Sequence, residues 1–139
     1  MPHIQKRDIS GFSRHGMTSV LLALMVIMPS LPATAVTWID GKTATLQALD
    51  KITARISTVT APVGVAQFFG TLQITVDRCA FHPPEEPPES AAFITVRDMG
   101  YDDQPPKRIF AGWMFASSPA VSALEHPVYD ITVLSCNAD

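Results

Sequence analysis

Between Gly70 and the proline pair Pro83–Pro84 the chain alternates with a period of two. Leu72, Ile74 and Val76 form one set, and Thr71, Gln73, Thr75 and Asp77 form the other. Successive side chains of an extended chain point to opposite faces, so this run separates apolar from polar as a half-buried strand does. A helix would scatter the same residues around its circumference. The parity changes after Asp77, because Cys79 and Phe81 fall in the polar set. A β-bulge near Asp77–Arg78 would shift the register and turn both inward, since one extra residue flips every side chain downstream of it; alternatively the end of the strand packs on both faces.

The chain from Val36 onward breaks into similar pieces. Val36 to Asp40 is a lead-in carrying Trp38 and ends at the turn pair Asp40-Gly41. Thr43 to Leu49 is expected to pair, across a tight turn at Asp50-Lys51, with a strand whose apolar face is Ile52, Ala54 and Ile56. Pro62 and Gly64 stop that strand. His82 to Glu89, with four prolines and three glutamates, reads as an extended, solvated, polyproline-like connector. Ala91 to Met99 alternates again, with Ile94 and Val96 opposite Thr95 and Arg97, and a hairpin-type loop rich in Gly, Asp and Pro follows. Ile109 to Phe115 is apolar on both parities, so it is either central and covered or faces a partner.

Ser118 as N-cap and Pro119 at the first helical position predict a short helix over about Pro119 to Leu124, which Pro127 ends. Val128 to Cys136 is the last strand, with Tyr129, Ile131 and Val133 on one face and Cys136 out of phase. Both cysteines break parity in the same sense, which suggests strand ends clipped together outside the main core. The expected fold is all-β: one small sandwich or barrel-like domain of six or seven short antiparallel strands and one short helix.

Residues 1–35 are expected to lie outside that fold. Lys6, Arg7 and Arg14 precede the apolar run Val20 to Met28, and Ala33-Thr34-Ala35 follows it. That order is a secretory signal peptide cleaved after Ala35, leaving 36–139 as the domain. The apolar run is far shorter than the roughly 20 residues that span a bilayer. The chain is therefore placed in the periplasm or outside the cell, with no membrane span in the mature part. In an oxidising compartment two cysteines favour a bridge, so Cys79 and Cys136 are expected to be joined. The order Cys79, Trp113, Cys136 is shared with immunoglobulin domains. However, Trp113 lies too far past Cys79, and Leu134 stands where the tyrosine-corner Tyr belongs. After Ala35 the chain holds 7 of the 10 basic and 12 of the 13 acidic residues, a net charge of −5. With no basic stripe, nucleic acid is an unsuitable partner.

Three stretches, FGTLQITVDRC (69–79), HPPEEPPESAAF (82–93) and above all GWMFASSPAVSALEHPVYDITVLSC (112–136), resemble a family of small exported proteins of Gram-negative bacteria. The family is known only as a domain of unknown function. The resemblance implies an exported single domain and supplies no catalytic residue.

Bond-making chemistry finds little support. Ser117, Ser118, Ser122, His126 and Asp130 lie close in sequence, but there is no Gly-x-Ser-x-Gly elbow, and Ser118 is better used as a cap. His82, Glu85, Glu86 and Glu89, or Glu125 and His126, lack the i, i+4 spacing of a metal helix. No cofactor is expected. The chain reads instead as a non-enzymatic envelope protein that docks on a protein partner. The candidate contact surface is Trp113, Met114 and Phe115 together with Pro87 and Pro88. The alternative is a small β-domain that binds an envelope glycan or other ligand, with Trp38, Tyr101, Tyr129 and Trp113 as stacking surfaces.

Overall fold

The computed structural model describes residues 35–100 and 104–139. The leader expected over residues 1–35 therefore lies, but for Ala35, outside the described residues, as do Tyr101, Asp102 and Asp103.

Eight strands follow one another: β1 (Ile39–Asp40), β2 (Thr43–Asp50), β3 (Arg55–Pro62), β4 (Gln67–Phe69), β5 (Leu72–Phe81), β6 (Ser90–Asp98), β7 (Lys107–Phe115) and β8 (Tyr129–Asn137). All pairings are antiparallel. One sheet has the order β1-β5-β6-β7, with β4 on the same edge of β5 as β1, and the other has the order β3-β2-β8. The two sheets stay separate, so the fold is a sandwich and not a barrel. The count exceeds six or seven because β1 and β4 are only 2 and 3 residues long, too short to show a period. The expected helix is a 3-10 turn over Pro119–Ser122 without a side-chain cap from Ser118.

The chain passes from one sheet to the other at Gly41. Its amide bonds to the Cys79 carbonyl and the Lys42 amide to the Asn137 carbonyl, both at 2.8 Å. A β-carbon on Gly41 would stand 2.9 Å from the Asn137 carbonyl oxygen, so this corner tolerates only glycine. Asp40-Gly41 is therefore a corner between sheets and not a hairpin turn.

The core lies between the sheets. Ala44, Leu46 and Ala48 of β2, Leu72, Ile74 and Val76 of β5, Ala92, Ile94 and Val96 of β6, and Ile131 and Val133 of β8 are all buried there. The inward face of β3 is Ser57, Val59 and Ala61, opposite Ala48, Leu46 and Ala44. This reverses the expected parity. Ile52 is 74% and Ile56 62% exposed, and Ala54 adopts a positive φ of 53° in the connecting turn. The turn is longer than the expected Asp50-Lys51 pair, and facing residues of an antiparallel pair share a face, so the buried side of β2 dictates that of β3. Pro62 closes β3 on the sheet's edge, where a missing amide costs no ladder bond.

Three irregularities decide which side chains face inward. In β5 the register shifts between Val76 and Arg78, leaving Asp77 unpaired. In β8 it shifts opposite Thr45 and Leu46, leaving Leu134 unpaired. In β7 it shifts opposite Val96 and Arg97, leaving Ile109 unpaired. The bulge anticipated near Asp77–Arg78 is present. Together with the one at Leu134 it brings both cysteines into the core, Cys79 1% and Cys136 4% exposed, with Cα atoms 5.8 Å apart at disulfide distance. The pair links β5 of one sheet to β8 of the other through the core. The cysteines are not strand ends clipped outside it, because each bulge restores the parity that the sequence count had lost.

Candidate functional site

β7 is an edge strand, and its two apolar faces have different uses. Met114 is 3% exposed and points into the core, while its neighbours Trp113 and Phe115 point outward. Met114 therefore leaves the candidate surface, because adjacent residues of a strand cannot share a face. Trp113 is 38% exposed. It stands opposite Phe93 of β6, the rings edge to face with centroids 5.6 Å apart.

The outer face of this sheet carries a row that crosses four strands. Asp40 pairs with Ala80, Ala80 with Ala91, and Ala91 with Phe115. The next row is Arg78, Phe93 and Trp113. Small side chains at Ala80 and Ala91 leave a depression between larger neighbours. The result is a trough of about 430 Å³ lined by Trp38, Asp40, Arg78, Ala80, Ala91, Trp113 and Phe115. Arg78 reaches Asp40 Oδ1 at 3.1 Å from a terminal nitrogen and at 3.3 Å from Nε. Both partners stay largely in solvent, so the pair contributes little to stability and remains open to a ligand.

The proline–glutamate segment fixes the second wall. It is not an extended polyproline stretch. The His82 amide bonds the Glu89 carbonyl at 3.0 Å, and the Glu86 amide bonds the Pro83 carbonyl at 3.0 Å, so the segment closes on itself between β5 and β6. His82 Nδ1 lies 2.8 Å from the Pro87 carbonyl. The Trp38 ring packs edge-on against the His82 ring at 4.2 Å, leaving Trp38 45% exposed. The Glu86 carboxylate accepts the Thr37 amide at 3.1 Å on both oxygens, and its pKa is lowered by the bonds from Thr37. The Glu89 carboxylate accepts from the Ser90 amide at 2.9 Å, the Ser117 amide at 3.1 Å and the Ser117 hydroxyl. Burial opposes ionisation of Glu89, but the Ser117 and Ser90 bonds outweigh it and hold its pKa below the usual value. One carboxylate thus anchors the lead-in that carries Trp38, and the other anchors the chain just past Phe115. Pro87 and Pro88 are exposed but do not line the trough. Pro88 borders a separate hollow with Phe81, His82 and Leu134.

Of the sequence-expected surface, Trp113 and Phe115 belong to the trough. Trp38, Asp40, Arg78, Ala80 and Ala91 complete it. Tyr129 is buried, stacked on His126 at 5.3 Å and edge-on to Phe69 at 5.5 Å, so it offers no stacking platform. His126 has a structural task. Its Nδ1 accepts the Val128 and Tyr129 amides at 3.1 Å each, which leaves the proton on Nε2, 3.4 Å from Asp98 Oδ2. Among the described residues no three His, Cys, Asp or Glu side chains converge as a metal site would require, and no helix is long and apolar enough to cross a membrane. The trough presents aromatic rings and one ion pair side by side.

A family model described as an uncharacterized protein conserved in bacteria (DUF2155) matches residues 44–136. An uncharacterized protein of Rickettsia prowazekii (strain Madrid E) is 30% identical over 89 residues, which cover 64% of this chain and 57% of that protein. The chain thus spans less than two thirds of that relative's length. No solved structure matches the chain.

Proposed function

The chain belongs to the uncharacterized bacterial family DUF2155, and from that premise we propose that it is an exported, non-enzymatic recognition domain of the cell envelope. It docks on its envelope partner through the outer face of the larger sheet. The observation that carries this reading is the position of Trp113: outward and half-exposed on a strand whose alternate residue, Met114, is core. A large aromatic left on an outer face, in a trough that a second tryptophan and an arginine also line, has the composition of a binding hot spot. The cysteine pair at disulfide distance and the signal-like leader favour an oxidising compartment.

The experiment is retention in the envelope fraction after crosslinking in intact cells, comparing the wild type with Trp113→Ala. Loss of retention, with the purified variant still folded and melting cooperatively, is the expected result. Unchanged retention would remove the outer face from the account.

A further inference from the structure

Deepening that reading, and resting on it, we infer that the occupant of the trough is a saccharide chain: a neutral, hydroxyl-rich ligand held on Trp38 and Trp113 and hydrogen-bonded by Arg78 and Asp40. The trough has two chemistries within one depression. The rings of Trp38, Trp113 and Phe115 line it, and an aromatic ring carries a negative π-surface to which the polarised C–H face of a sugar ring is complementary. In the same trough Arg78 and Asp40 hold an ion pair that is still mostly solvated, with both guanidinium contacts made to a single carboxylate oxygen.

An apolar side chain from a protein partner would cover that pair without replacing its water, and desolvating charges without new hydrogen bonds is costly. Sugar hydroxyls both donate and accept, so they satisfy the arginine and the aspartate while the ring lies on tryptophan. Size points the same way. The trough has about 430 Å³ and seven lining residues. That volume falls in the range of small-ligand sites, whereas a protein interface engages about 20–30 residues on each side. The floor row Asp40–Ala80–Ala91–Phe115 crosses four strands, about 14 Å at the usual strand spacing, long enough for more than one ring in line. The alanines matter because any larger side chain at Ala80 or Ala91 would fill the floor.

The test uses a property of the chain itself. Its only two tryptophans both line the trough, so intrinsic fluorescence reports on this site alone. The purified protein is titrated with maltotriose, cellotriose and chitotriose into the millimolar range. A saturable change with at least one of them is expected. Arg78→Met keeps the arginine's stem and removes its donors; it should weaken that sugar about tenfold or more, the effect of losing hydrogen bonds from a charged group. Ala91→Leu should abolish binding by filling the floor. Two outcomes overturn the proposal: no saturable change with any of the three sugars, or a change that Arg78→Met leaves intact. If sugars fail while Trp113→Ala still loses envelope retention, the saccharide is wrong and the outer face remains a contact surface, occupied by protein. If sugars bind the wild type but Trp113→Ala keeps full envelope retention, the docking reading fails instead.

Discussion

Replacing both Cys79 and Cys136 by alanine should destabilise the domain severely without changing its fold. The pair closes a loop with a sequence separation of 57. Cross-linking a loop of that length removes chain entropy from the unfolded state equivalent to about 4 kcal/mol. The two sulfurs are also core atoms, 1% and 4% exposed, so the alanines add small voids to the loss. For a domain of roughly a hundred residues each kcal/mol moves the melting temperature by about 4–8 °C, so the midpoint should fall by about 15–30 °C. Each sheet keeps its own hydrogen-bond ladder, and the far-ultraviolet circular dichroism spectrum below the transition should match the wild type. The assay is a thermal melt of oxidised wild type, wild type in reductant, and the double variant. The last two should melt within a few degrees of each other. A double variant that melts within about 5 °C of the oxidised wild type would show that the bridge does not hold the sheets together in this way.

Gly70 has a φ of 56°, and a β-carbon there would lie 2.8 Å from Tyr129 Cε1, so Gly70→Ala should cost well over the about 1–2 kcal/mol of a left-handed backbone alone, read by urea denaturation. Trp113→Ala should cost only about 1–2 kcal/mol, chiefly the edge-to-face pair with Phe93, and leave a cooperative melt. Glu89 has a folded pKa below the ordinary value of 4.5. The folded state therefore binds fewer protons, and its contribution to stability is present above that value and lost as pH falls through the lowered one. Glu89→Gln should flatten the acid limb of a stability–pH curve; an unchanged acid limb would refute the anchoring role given to this carboxylate.

The strands were legible where one face is buried and the period is clean. Leu72, Ile74 and Val76 announced β5, and the parity break after Asp77 left a bulge and a strand end packed on both faces as alternatives, of which the bulge is present. Parity misled where a turn absorbed residues. Ile52 and Ile56 alternate as a buried face would, yet the register of β3 is set by β2, whose buried side is Ala44, Leu46 and Ala48. The same limit misplaced the cysteines. Cys136 looked out of phase because nothing local to Leu134 signals a bulge; the pairing with β2 creates it. The proline–glutamate segment read as extended from its composition, but Glu86 and Glu89 find backbone amides at Thr37 and Ser117, far away in sequence. The trough was half visible. Trp113 and Phe115 stood out as aromatics on a strand apolar on both sides. Trp38, Asp40 and Arg78 are brought to them by the β1–β5 pairing, and alanines at 80 and 91 give no signal until they are seen side by side as a floor.

The central claim is that the outer face of the larger sheet is where this protein meets its partner. A photo-crosslinking benzophenone amino acid placed at Phe115, in the trough, can be compared in intact cells with one placed at Ile56, 62% exposed on the other sheet. The account predicts a crosslinked product, to glycan or to protein, from position 115 and none from position 56. Equal products from both positions, or a product only from position 56, would contradict it.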